Sequence, residues 1–391
     1  MAGNLVEELL RACPALSPAL EQPAGHEVQV LYTQIDRDAQ GLPHFTPHAY
    51  RVDPAAYFYP ASIVKLAGAA MALEKLNQLD IQGLDKHTPL RIDSAFAGQV
   101  AALHDLSAPT GKPSIAHYIK KLFVVSDNDA YNRLYEFVGQ QPLNEGLWEK
   151  GYGDLRLLHR LSTFSTEEES RHTNPLTFYR DGQVIYQQPA ACNPHIWRAP
   201  APILRGQRHW EGEVWAAGPE DFAGWNYMSL EVAQELLKAL LFPQDVAPER
   251  RFALSEDDYQ WLWHSMSVLP RECRAPRYGP RYHDSWVKFL LFGDRREAIP
   301  PHIRIFNKVG LAYGYMSDTA YVVDLEAGVE YLLAAVINTD PDSAGGGRYA
   351  YEQVGFPFLG ALGRTIHEYE RQRPRAHPAR LEPIRLDYNR D

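Results

Sequence analysis

Three short clusters hold residues whose types and spacing can do chemistry. In Ser62-Ile63-Val64-Lys65 a serine and a lysine stand three residues apart, so on a helix they share one face and the amine reaches the hydroxyl. A serine is a weak nucleophile until an adjacent base takes its proton, and a lysine is such a base only where burial and neighbours lower its pKa. A helix start adds N–H groups and a partial positive charge that favour a developing oxyanion. The spacing alone is not decisive, because Ser285-Trp286-Val287-Lys288 repeats it. The second cluster, Ser126-Asp127-Asn128, joins two helical stretches, and all three residue types are also favoured helix caps. The third, Lys308-Val309-Gly310, ends a strand-like run, where a solvated lysine and a turn glycine are ordinary.

The elements that must position these clusters follow from periodicity. Residues 5–10 predict a short amphipathic helix, 26–35 a strand and 50–58 its partner. A run of small and apolar residues from Ser62 to Leu79, entered through Pro60, predicts a helix buried on most sides. Further helices are expected at 114–123, 129–138, 143–150 and 229–242. Residues 162–226 carry five prolines (175, 189, 194, 200, 202), one hairpin-like piece at 177–188 and no helical period, and read as a long loop-rich insertion. Three antiparallel strands at 303–309, 319–325 and 331–339 and a closing helix at 356–371 follow. Strands at both ends with helices between them predict an α/β (α+β) sandwich, with an antiparallel sheet of about five strands and an inserted all-α domain. The expected division is 1–61 with 246–391 for the sheet domain and 62–245 for the helical one.

Composition narrows the classes. The chain has 391 residues, 45% hydrophobic and 23% charged, which is globular, and a net charge of −10 without a basic tract argues against nucleic acid. Its longest apolar runs are far too short to span a bilayer. Three cysteines make no disulfide framework, and no zinc, P-loop, HExxH or EF-hand spacing is present, so neither metal nor cofactor is expected. The start lacks a basic region followed by an apolar one, so either the protein is cytoplasmic or a leader was removed.

In this order the three clusters resemble the class A β-lactamases among the penicillin-recognising serine hydrolases, whose motifs are S-x-x-K, S-D-N and K-T-G. The order of the predicted elements is similar too, outside 162–226 and a second insertion near 270–301, while Ser285 comes after Ser126-Asp127-Asn128 and is out of order. The resemblance implies a β-lactamase/transpeptidase-like fold and acyl transfer on a small-molecule or peptide amide, lactam or ester. It implies that Ser62 is acylated, Lys65 is its base, Ser126 shuttles a proton to the leaving group, and Lys308 lends charge beside it. Asn128 and Gly310 would bind substrate, the backbone N–H groups of Ser62 and Leu311 would form the oxyanion hole, and Asp127 would brace the loop. The family's envelope location implies a periplasmic or secreted protein.

Two departures bear on substrate. At the offset of the family's water-activating glutamate stands Ser162, with Arg160 in register before it. His159 and the acidic run Glu167-Glu168-Glu169 are the nearby alternatives, with a bracing histidine and a solvated face as their simpler readings. Val309 replaces the threonine whose hydroxyl binds the substrate carboxylate of penicillins, and valine cannot donate. Efficient turnover of β-lactams is therefore not expected, and a peptidase, an esterase or a binding protein that has lost turnover is the alternative. The insertion is expected to wall the active site, with Trp210, Trp215 and Trp225 as candidate aromatic lining.

Overall fold

The computed structural model describes residues 4–163, 165–211, 214–340 and 349–388, without the side chains of 208–211 and 215. Its longer helices are α1 (Leu5–Ala12), α2 (Lys65–Leu79), α3 (Ile115–Val124), α4 (Asn128–Val138), α5 (Gln140–Glu149), α6 (Leu230–Leu241), α7 (Glu256–Ser267) and α8 (Phe356–Gln372). The strands used below are β1 (Gln29–Arg37), β2 (Pro43–Tyr50), β3 (Leu90–Ile92), β4 (Leu176–Arg180), β5 (Gln183–Gln188), β6 (Ile303–Ala312), β7 (Tyr315–Asp324) and β8 (Val329–Asn338).

An antiparallel five-stranded sheet runs β6-β7-β8-β1-β2, so strands from both ends of the chain meet in one layer, with Gln29 opposite Val336. This is the α/β architecture expected from the sequence. The sheet is covered on both sides. On one side α1 and α8 close a core with Val30, Tyr32, Val309 and Leu333. On the other, the helices between β2 and β6 pack on Ile35, Phe306 and Tyr321 through a core built around α2. Helix α2 is apolar nearly all round, which matches its buried position. Gly68 lets it approach α4, since a Cβ there would lie 2.8 Å from the Tyr131 ring.

Serines start several helices by the same device. Ser114, Ser229 and Ser255 accept hydrogen bonds from the backbone N–H groups of His117, Val232 and Asp258. Ser255 and Asp258 close a capping box on α7, a helix that the periodicity had not brought out.

The partner of β1 is corrected. It is β2 at Pro43–Tyr50, not residues 50–58, whose Tyr57, Phe58 and Tyr59 fill a separate core cluster beside the sheet. Pro43 and Pro47 made 43–50 read as a connection, yet β2 is an edge strand, where a missing N–H costs no ladder bond. The inserted part also carries a sheet of its own, β3-β4-β5, in which the hairpin seen in the sequence pairs with the three residues of β3. Among the described residues no helix is long and apolar enough to cross a membrane.

Candidate active site

Ser62 lies in a single 3-10 turn, Ala61–Val64, that runs into α2 at Lys65. The turn is entered at Ala61 with φ 47°, a left-handed conformation that costs free energy for a residue with a Cβ. Lys65 is completely buried at the start of α2. Its Nζ lies 2.6 Å from the Ser126 carbonyl oxygen, 2.6 Å from Asn128 Oδ1, 2.9 Å from Ser62 Oγ and 3.2 Å from Ser126 Oγ. The first two are obligate acceptors. A neutral amine gives its two N–H bonds to them and leaves its lone pair for the Ser62 hydroxyl. Burial holds Lys65 well below the ordinary lysine range, and the charge of Lys308 acts in the same direction against that of Asp127.

Lys308 projects from β6 and donates to Ser126 Oγ at 2.8 Å, so Ser126 bridges the two lysines. Burial brings Lys308 down to about 7, with Asp318 opposing and Lys288 assisting. Gly310, two residues on, is required by a close approach: a Cβ would sit 2.4 Å from the Pro60 carbonyl oxygen and 2.6 Å from Ser317 Oγ. Leu311 is 38% exposed, and it lines the cavity that Ser62 opens into. Val309 faces the opposite way, into the core beneath the sheet. Asp127 caps α4 through the Ala130 N–H at 2.9 Å.

Ser162 also meets this group. Its Oγ accepts from Asn128 Nδ2 at 2.7 Å, which extends one hydrogen-bonded chain from Ser62 through Lys65 and Asn128 to Ser162. Ser162 has φ 53°, and the backbone before it is held from three sides. Asn144 brackets Leu157 at 2.7 and 2.8 Å, Asn226 accepts from the N–H of Leu158 at 2.6 Å, and Asn132 brackets Leu161 at 2.8 and 3.0 Å. Arg160 is buried against Glu136 and donates to the carbonyl oxygens of Glu169 and His172. The three asparagines were not singled out from the sequence. Their only signal was an amide side chain on the apolar face of a predicted helix or beside a buried turn.

The cavity in front of Ser62 has a volume of about 1400 Å³. Asn128, Ser162, Trp197 and Trp225 line it, so the 162–226 segment forms a wall of it. Tyr59, His159, Trp225 and Tyr313 make an aromatic floor, with Tyr59 stacked on His159 at 6.2 Å and Trp225 edge-on to Tyr313 at 4.9 Å. The side chains of Trp210 and Trp215 lie outside the described residues. His159 hydrogen-bonds the Arg160 carbonyl through Nδ1 at 2.6 Å, and burial brings it down to about 4, so it is neutral. Of the acidic run, Glu169 closes a capping box with Thr166, Glu168 is exposed, and Glu167 borders the cavity. The decoy pair stays apart: Ser285 Oγ donates to the Arg295 carbonyl at 2.5 Å, while Lys288 Nζ donates to Met266 O and Asn307 Oδ1, both at 2.6 Å. No group of metal-ligating side chains is found among the described residues.

A family model described as "Beta-lactamase enzyme family" matches residues 15–195. No curated protein matches the chain. Among solved structures, a β-lactamase from Sphaerobacter thermophilus is 13% identical, with 95% of this chain and 98% of that one covered and a TM-score of 0.49. A β-lactamase from Xanthomonas campestris pv. campestris is 16% identical over 93% and 98%, with a TM-score of 0.49. A class A β-lactamase from Clostridium kluyveri is 14% identical over 90% and 97%, with a TM-score of 0.48. With the family match over residues 15–195, the chain resembles the class A β-lactamase-like family of penicillin-recognising serine hydrolases.

Proposed function

We propose that the protein is a serine hydrolase that works through a Ser62 acyl-enzyme. The observation that carries this is the position of Lys65, buried, 2.9 Å from Ser62 Oγ, with both of its N–H bonds assigned to obligate acceptors. Ser62 Oγ attacks the carbonyl carbon and its proton passes to Lys65. The tetrahedral oxyanion is met by the N–H groups of Ser62 and Leu311. Collapse breaks the bond to the amine or alkoxide, which takes the proton by way of Ser126, while Lys308 steadies the Ser126 hydroxyl. Water then cleaves the acyl-enzyme and restores Ser62. Gly310 keeps the strand edge against the serine turn, and Asp127 fixes the start of α4.

The proposed substrate is an amide, ester or lactam other than an efficient β-lactam. Val309 turns no hydroxyl toward the cleft, and Ser162 supplies no carboxylate for water. The second reading, a protein that is acylated but deacylates poorly, is favoured by Ser162 alone. The proposal keeps 1–61 with 246–391 as a sheet domain and 62–245 as a helical one, and an envelope location by resemblance.

Intact mass after incubation with a fluorophosphonate tests the assignment. A single adduct is expected on the wild type and on Ser285→Ala, and none on Ser62→Ala. Equal labelling of Ser62→Ala would refute it.

A further inference from the structure

Ser62, Asn128 and Ser162 line the large cavity, whereas Lys65, Ser126 and Lys308 do not. The cavity therefore lies on the Asn128 side of the serine, away from the hydroxyl that would protonate a leaving group. What fills it is the acyl part of the donor. At about 1400 Å³ it exceeds the roughly 300–1,000 Å³ of ordinary small-molecule sites, so an acyl chain has room for a second point of recognition.

Three of the donors that line it, on Ser170, Arg171 and Arg198, are used by the protein only in part or not at all. Gln140 and Arg160 also border the cavity, but their polar atoms are engaged in holding the loop. Ser170 is only 2% exposed, and its Oγ has no hydrogen-bond partner. Arg171 gives one Nη to the Asn193 carbonyl at 2.8 Å, while its buried Nε has no partner. Among the described residues no carboxylate lies within ion-pair distance of Arg171. Arg198 stands 3.6 Å from Asp221 and 4.0 Å from Glu167, beyond hydrogen-bonding distance, and Asp221 Oδ1 is taken by the N–H groups of Ile203 and Ala223.

A guanidinium only donates, and its planar fork matches an oxyanion. A buried donor without a partner is costly unless a ligand meets it. We propose that Ser170, Arg171 and Arg198 form an oxyanion subsite, and that the preferred donors carry a carboxylate at the end of the acyl chain. This rests on the Ser62 acyl-enzyme reading for its kinetic consequence, but not for binding. It places anion recognition on the acyl side of the serine, whereas Val309 leaves the strand side without a hydroxyl for it.

The test has two arms. Calorimetric titration of glutarate, with adipate as a longer probe, into the Ser62→Ala protein reads the subsite without catalysis. Saturable binding is expected, weakened about tenfold or more in Arg171→Gln, the scale of one charge-assisted hydrogen bond. Since Arg171 also holds the Asn193 carbonyl, Arg198→Gln gives a second reading at a side chain without such a tether. The other arm compares acylation by mono-p-nitrophenyl glutarate and p-nitrophenyl acetate. The wild type is expected to favour the glutarate about tenfold, a ratio that collapses in both arginine variants. Absence of dicarboxylate binding to Ser62→Ala, or a ratio unchanged in both variants, overturns the subsite. Failure of every ester and of the fluorophosphonate to label Ser62 overturns the hydrolase reading instead, and the calorimetry still decides the subsite.

Discussion

At Lys65 and Lys308 the proton count decides whether the site can work. Lys65 takes the Ser62 proton only when neutral, so acylation rises with pH through its lowered pKa. Lys308 helps Ser126 as a cation, and burial brings it down to about 7, so that help fades as pH rises past about 7. The rate of acylation by an anilide, whose amine leaves only with a proton, is therefore expected to bend downward with a midpoint near 7. Lys308→Arg, which keeps its charge, should remove that alkaline limb. An unchanged limb in Lys308→Arg would assign it to another group. These roles rest on side chains whose spacing was legible in the sequence: Ser62 with Lys65, then Ser126, Asn128 and Lys308. The asparagines that hold the loop ahead of Ser162 were not legible. An amide inside a helical pattern reads as a solvated position, and only the fold reveals that Asn132 faces an inward backbone at Leu161.

Elements set how closely the clusters meet. Strand β6 lies so near the serine turn that Gly310→Ala would put a methyl group 2.4 Å from the Pro60 carbonyl oxygen. Overpacking of this kind costs about 1–3 kcal/mol, and a lower denaturant midpoint with slower labelling is expected. The loop from Leu157 to Ser162 is held just as firmly, which makes Ser162→Glu a fair test of deacylation. With Ser162 in place, a β-lactam that acylates Ser62 should persist as an adduct, since a missing general base costs about 10²–10⁴ in rate. In Ser162→Glu the adduct seen by intact mass should decay faster. Wild-type nitrocefin turnover in the ordinary range, about 1–10³ per second, would point to Glu167 or His159 as the base. The long buried strands were legible through their apolar runs, such as Tyr331–Ile337, while the polar stretch Ser317-Asp318-Thr319 hid the first half of β7. Strand β2 was not legible, because its edge position tolerates the prolines that disguise it. Strand β3 has three residues, too few to show a period.

For the whole molecule, the buried lysines tie stability to pH. The folded-state pKa of Lys308 is about 7 and that of Lys75 about 8, both lowered by burial, while the unfolded chain titrates near the ordinary 10.5. Between these values the unfolded state binds more protons, so stability rises with pH across that window. Thermal midpoints should increase from pH 7 to pH 9, and Lys308→Met should flatten the increase. An equally steep rise in Lys308→Met would show that the lysine is not responsible. The same sheet that holds Lys308 also sets a timetable for manufacture. Gln29 on β1 pairs with Val336 on β8, so a strand leaving the ribosome early waits about 300 residues for its neighbour. At roughly 5–20 residues per second that interval is on the order of 15–60 s. Throughout it β1 has one flank uncovered, and the nascent chain is open to chaperones or to a secretion channel until β8, the middle strand of the sheet, has been made.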